Sequence, residues 1–210
     1  MRVVLVEPEF DINIGKIARL MYNFGFDELY LVRPRAPLDG RMRMFAKEGG
    51  RRVLANMRVV EELEEAVEGK FPVVGTTSEP GRFGLMHRSR PPEFLAEIDV
   101  SAAALVLGSE GRGLERTDLL KCDVLVNIPS NGSLNLSNAA AVLLYEAARR
   151  RRRWVYDRKK INAVMQKLEG MEFTNAGKIK QAWRRVIARA TPDDEEFRAI
   201  LLVLQRAARR

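Results

Sequence analysis

An α/β fold is what this sequence predicts: a mainly parallel sheet with helices on both faces, followed by a small all-helical extension. Three observations carry the prediction. Short β-branched runs alternate with segments of helical period across residues 1–148. Three of those runs end in polar or glycine-rich turns, at 75–78, 108–113 and 128–137. After the basic run 149–153 the pattern is helical throughout.

Taken in order, residues 2–6 form a first strand, and the loop 7–12 leads to Asn13, which can cap a helix. Ile14, Ile17, Ala18, Met21 and Tyr22 recur there at helical spacing, and Gly25 stops the helix. Residues 28–32 are a second strand, ended by Pro34 and Pro37. A helix is expected within 40–56, interrupted near Gly49-Gly50, then a short strand at Val59-Val60 and a short helix over 61–68. The strand 71–75 runs into Thr76-Thr77-Ser78, and the Gly-, Pro- and Arg-rich stretch 79–92 reads as a mobile loop. The strand 103–107 turns through 108–113 into a helix over 114–120, and the last strand, 123–128, precedes an apolar helix. Beyond it, helices are expected near 154–168, 176–190 and 193–208. Thr191-Pro192 and the acids after it give a strong helix start. The chain thus divides into residues 1–148 and a basic helical extension, 149–210.

In a parallel sheet all three turns lie at one edge, where α/β proteins bind small ligands. None matches a P-loop or a GxGxxG fingerprint. The span 128–137 is the most informative. Pro129 and Gly132 break the chain while Ser133, Asn135 and Ser137 crowd hydrogen-bonding groups before a helix. One residue suffices for a cap, so three polar positions in so short a span favour a ligand loop.

Composition narrows the function. With one cysteine and one histidine, Cys122 and His87, there is no internal disulfide, no Cys-cluster or His-based metal site and no hydrolytic triad. Cys122 reads as a small apolar residue ahead of a strand. No apolar run approaches a membrane span, and the chain opens on a strand instead of a signal peptide, so a cytoplasmic location is expected. Charge is unevenly divided. Residues 1–148 hold 18 Lys+Arg and 21 Asp+Glu, a net of −3, whereas 149–210 hold 18 and 7, a net of +11. So basic an extension, poor in aromatics, suits a nucleic-acid phosphate partner.

Three segments together resemble a known family: Glu7-Pro-Glu…Asn13-Ile-Gly-Lys-Ile-Ala-Arg19, Leu107-Gly-Ser-Glu-Gly-Arg-Gly-Leu114, and Ile128-Pro…Ser133-Leu-Asn-Leu-Ser137. In order and spacing they are similar to the three motifs of SPOUT-class RNA 2′-O-ribose methyltransferases, over about residues 1–148. Within the wider TrmH-like class, the Val-Glu-Pro-Glu opening, the Gly75-Thr-Thr77 turn and the basic extension look most like the TrmJ type, which methylates tRNA nucleotide 32. The resemblance implies a C-terminal trefoil knot, S-adenosylmethionine as methyl donor, a tRNA substrate, a homodimer and no metal. It places the cofactor against Thr76, Thr77, Ser78, Gly108, Ile128, Ser133, Leu134 and Asn135. Ser109 stands where TrmJ-type proteins often carry arginine, which leans toward the wider class. Methylation of rRNA, or of another tRNA position, and non-catalytic RNA binding are the alternatives.

Arg19 corresponds to the family's essential arginine. A guanidinium holds its proton near neutral pH, so gripping a phosphate and stabilising charge on the 2′-oxygen suits it better than accepting a proton. Asn13 is expected to orient Arg19 or the ribose, or merely to cap its helix. Glu110 is expected to fix the second-motif turn, and Ser137 to align the ribose hydroxyl, with Asn135 fixing the cofactor or the loop.

Overall fold

The computed structural model describes residues 1–149, 158–169, 171, 174–190 and 192–207. It forms two compact units, residues 1–153 and 154–210.

In the first unit seven parallel strands make one sheet. They are β1 (Arg2–Val6), β2 (Glu28–Val32), β3 (Arg58–Val60), β4 (Val73–Thr76), β5 (Ser89–Arg90), β6 (Ala104–Leu107) and β7 (Val124–Val126), in spatial order β3-β2-β1-β6-β4-β7-β5. The helices are α1 (Asp11–Phe24), α2 (Gly40–Ala55), α3 (Leu63–Val67), α4 (Arg116–Lys121) and α5 (Leu136–Ala148). Successive strand residues point to opposite faces. Val4, Val6, Tyr30 and Val32 therefore join a buried cluster with Leu63 and Ala66 of α3 and Leu119 of α4. Their neighbours Val3, Leu5, Leu29 and Leu31 project the other way and are equally inaccessible. A sheet buried on both faces reads as near-continuous apolar runs, and these strands do.

Because every strand runs the same way, the ends of β1, β6, β4 and β7, four neighbours in the sheet, share one edge. The order turns back beside β1: β2 and β3 extend to one side, β6 and the remaining strands to the other. Such a switch point leaves a crevice at the carboxyl ends.

Several boundaries differ from expectation for visible reasons. Helix α1 starts at Asp11, with Phe10 at its cap position and no side-chain cap bond. Asn13 is therefore inside the first turn and does not cap. The break in α2 falls at Lys47 (φ 56°, ψ −169°), two residues before the glycine pair. The stretch 79–92 is not an open loop: short 3₁₀ turns and the edge strand β5 fold around the buried Arg88, whose Nη2 donates to the Cys122 carbonyl. A further 3₁₀ segment, Pro92–Ala96, had no sequence signal.

The second unit holds α6 (Arg158–Glu169), α7 (Ala176–Ala190) and α8 (Asp194–Ala207). Ile161, Val164, Leu168, Ile187, Ala188, Phe197 and Leu204 are its buried apolar residues among the described ones. Thr191 lies outside the described residues. The start of α8 is capped by Asp193, whose Oδ1 accepts from the Glu195 and Glu196 N–H groups, both at 2.9 Å. Glu196 in turn accepts from the Asp193 N–H at 2.8 Å, a reciprocal capping box. No helix among the described residues is long and apolar enough to cross a membrane.

Candidate active site

The three turns meet around a cleft of about 230 Å³ at the carboxyl edge. Each turn is held by hydrogen bonds of backbone groups and short side chains. After β4, the Thr77 N–H donates to the Val126 carbonyl at 3.0 Å, and the Asn127 side-chain amide donates to the Thr77 carbonyl at 2.9 Å. After β6, the Gly113 N–H donates to the Ser109 carbonyl at 2.9 Å and the Arg112 N–H to Ser109 Oγ at 3.2 Å. Ser109 thus closes the turn from within. A Cβ at Gly108 would overlap the Gly113 and Leu114 backbone, so this tight return requires glycine. After β7, the Ser130 hydroxyl donates to the Gly132 carbonyl at 2.6 Å.

Of the residues expected at a cofactor, Thr76, Thr77, Ser78, Gly108, Ile128, Ser133 and Leu134 line the cleft. Asn135 does not; it caps α5, its Oδ1 accepting from the Ser137 N–H at 2.9 Å and the Ser137 hydroxyl at 2.7 Å. Ser137, expected to face a ribose hydroxyl, is instead buried at 4% exposure and paired to Asn135. The helix begins at Leu136, earlier than the apolar run suggested, which turns Ser137 into a first-turn residue. Sequence reading missed Glu79, Leu136, Ala139 and Leu143, which also line the cleft. The last three belong to a helix whose apolar face gave no sign of which residues would meet a ligand.

Glu110 joins this cleft to α1. Its Oε1 accepts from Asn13 Nδ2 at 2.7 Å and its Oε2 from the Glu9 N–H at 2.8 Å. Strand pairing makes this possible: Leu5 of β1 lies opposite Leu107 of β6, so the residues following each strand arrive together. The N-terminus of α1 is pinned a second time. The buried Asp11 carboxylate accepts from Arg41 Nε at 3.0 Å and Nη2 at 3.1 Å, a bidentate pair reaching from the start of α2. Two turns further along α1, Arg19 is exposed and has no hydrogen bond or ion pair among the described residues. It does not line the cleft.

Behind the 108–113 turn, α4 carries the buried Asp118. Burial pushes its carboxyl above the usual range, against the pull of Arg33 and Lys121. Lys121 itself donates to Glu64 at 2.9 Å, and that bond chiefly lowers the Glu64 carboxyl. No group of three or more His, Cys, Asp or Glu among the described residues could hold a metal ion.

The cleft is lined by glycines and small polar residues together with apolar ones, among them Leu107, Leu114 and Val126. That combination suits a nucleoside-like ligand with a polar tail.

Residues 1–145 match the SpoU rRNA Methylase family model. The tRNA (cytidine-2′-O-)-methyltransferase TrmJ of Methanocaldococcus jannaschii is 35% identical over 69% of this chain, which spans 65% of that protein's length. Its namesake from Sulfolobus acidocaldarius is 31% identical over 98% of this chain and 92% of that protein. The crystal structure of TrmJ from Z. mobilis superposes with a TM-score of 0.65, at 28% identity and over 98% of each chain. The SpoU methyltransferase AviRb from Streptomyces viridochromogenes, in complex with the cofactor AdoMet, gives a TM-score of 0.54 at 26% identity, over 70% of this chain and 56% of that one. Matched by that domain model over residues 1–145, more than half of its length, the chain belongs to the SpoU rRNA methylase family.

Proposed function

We propose that this protein transfers a methyl group from S-adenosylmethionine to the ribose 2′-hydroxyl of a pyrimidine nucleotide in tRNA, at position 32 of the anticodon loop. The observation that carries the reading is the cleft built by three turns at one sheet edge, tied through Glu110 to the helix that presents Arg19. Relatives named as tRNA 2′-O-methyltransferases support the substrate class. A neighbour that holds AdoMet supports the donor.

The donor supplies a methyl group on a positively charged sulfur. The protein's share is placement, because oxygen, carbon and sulfur must lie in line. The turns at 76–78, 108–113 and 128–134, which line the cleft, would hold the donor. Arg19, uncommitted within the described chain, grips the phosphate beside the target ribose and stabilises negative charge growing on the 2′-oxygen. The hydroxyl proton passes to water at the open rim. Glu110 already accepts two hydrogen bonds, so it positions the α1 arm and does not take that proton. Asn135 and Ser137 act as one capping unit that fixes the start of α5 and the loop before it. The basic extension, net +11 over 149–210, docks the tRNA backbone. The protein works as a homodimer in the cytoplasm, and the last strand and helix of the first unit form the knot that the family resemblance implies.

The test is transfer of label from S-[methyl-³H]adenosylmethionine to bulk tRNA and rRNA, followed by nuclease digestion and mass mapping. A 2′-O-methylated pyrimidine at tRNA position 32 is expected. Label in rRNA or at another tRNA nucleotide would move the target. RNA binding without any transfer would sink the enzymatic reading.

A further inference from the structure

The net charge of −3 over residues 1–148 conceals a local reversal. Helix α2 carries Arg41, Arg43, Lys47, Arg51 and Arg52 against a single acid, Glu48, and all five cations are exposed. Two are engaged: Arg41 with Asp11, and Arg52 over the Tyr22 ring at 5.9 Å. Arg43, Lys47 and Arg51 have no ion-pair partner among the described residues. Arg51 Nε donates to the Arg43 backbone carbonyl at 3.4 Å, reaching back across the break at Lys47, which brings the Arg51 guanidinium beside the first half of α2.

Beyond the break, Gly50 packs on α1 so closely that a Cβ there would sit 2.7 Å from the Arg19 backbone nitrogen. The segment bearing Arg51 and Arg52 therefore lies directly beside the residue proposed to hold the target phosphate. Lys47 keeps a positive φ that a non-glycine residue rarely adopts.

We infer that the outward face of α2, centred on Arg43, Lys47 and Arg51, is a second RNA-phosphate surface, on the first unit and adjoining Arg19. The inference rests on RNA being the substrate. It assigns to α2 the strand next to the target nucleotide, whereas the extension grips the body of the molecule. A membrane surface fits poorly, because an interfacial helix needs an apolar face and Met44 is the only exposed large apolar residue of α2. An RNA backbone needs cations alone.

The experiment compares the full-length parent with R43Q/R51Q and R43K/R51K, measuring tRNA affinity across a salt series. Calorimetry with S-adenosylhomocysteine and thermal unfolding serve as folding controls. For R43Q/R51Q, tRNA affinity should fall about 10-fold at physiological salt. The slope of log K against log salt should shrink by about 1.4–1.8, the release expected from two phosphate contacts. R43K/R51K should keep most of the parent slope. Lys47→Gly provides a second variant, removing one charge where glycine adopts the positive φ freely; its slope should shrink by about 0.7–0.9. Parent-like affinity and slope in folded R43Q/R51Q would overturn the inference. Failure of the parent to methylate any RNA would instead sink the enzymatic reading, while the affinity comparison would still decide whether α2 contacts RNA.

Discussion

The cleft and the α1–α2 arm stand at the same sheet edge and are built by opposite means. The cleft is made of turns whose backbone groups bond one another, with small side chains that leave little to lose by substitution. Its fragile point is a missing atom, the absent Cβ of Gly108. The arm relies on long side chains fixed at their bases: Asn13 and Asp11 are anchored, and Arg19 projects free. Binding of the donor should therefore be insensitive to most side-chain changes and intolerant of added bulk. Transfer should fail on the loss of one cation.

The largest expected effect separates the two regions. Arg19→Ala should lower single-turnover transfer by about 100- to 1,000-fold, the scale for removing one pre-placed donor to developing charge. Cofactor affinity should stay within a few-fold. A variant that keeps most of its transfer rate would end the assignment of Arg19.

Gly108→Ala should do the reverse and damage the cleft. Accommodating the methyl means moving backbone against backbone, costing about 1–3 kcal/mol or more. At 1.4 kcal/mol per tenfold, S-adenosylhomocysteine affinity should drop about 10- to 100-fold by calorimetry, with the loss of transfer following from it. Affinity equal to the parent's would mean that the 108–113 turn does not shape the donor site.

Glu110→Gln probes the joint. The substituted amide offers one acceptor where two donors converge, so either the Glu9 N–H or the Asn13 amide is left without a partner, at about 1–3 kcal/mol. Transfer should fall about 10-fold, with cofactor affinity changed less. Equal losses in both would place Glu110 wholly within the cleft.

The same contrast explains what could be read from the sequence. The strands other than β5 were legible because a sheet buried on both faces demands unbroken β-branched runs; the two-residue β5 (Ser89–Arg90) has no such run. The cleft was legible because turns at strand ends demand glycine and small polar residues; hence 75–78, 108–113 and 128–137 were singled out, although Asn135 and Ser137 of the last do not line the cleft. Ser137 falls in the first turn because a helix can begin before its apolar stripe does, and Asn135 supplied a cap that its own spacing did not distinguish from a ligand contact. The Glu110–Asn13 bond spans 97 residues and depends on β1 lying beside β6, a pairing that no local pattern encodes. The basic face of α2 escaped notice for a simpler reason. Summed over 148 residues its charge is cancelled by acids elsewhere, and only the fold shows those acids to be distant in function.

At the opposite edge of the sheet, charges should matter for stability alone, and Glu28 gives the smallest and most discriminating test. It accepts from Lys70 Nζ at 2.8 Å and Arg2 Nε at 3.0 Å, tying the starts of β1 and β2 to the chain before β4. Burial alone would raise its carboxyl, but the bonds and charges of Lys70 and Arg2 outweigh it and the net direction is down. A lowered folded value means that its stabilisation is present above the ordinary carboxylate range, near about 4.3, and is lost as pH falls through the folded value. With its side chain 40% exposed, solvent screening holds the contribution to about 0.5–1 kcal/mol. Glu28→Gln should therefore unfold at a slightly lower urea concentration at pH 7, with the gap to the parent closing below about pH 4. Transfer kinetics should be unchanged, because nothing at this edge touches the cleft or the arm. A fall in transfer rate without a fall in stability would mean that the two edges are coupled through the sheet, and the division between a binding edge and a structural edge would fail.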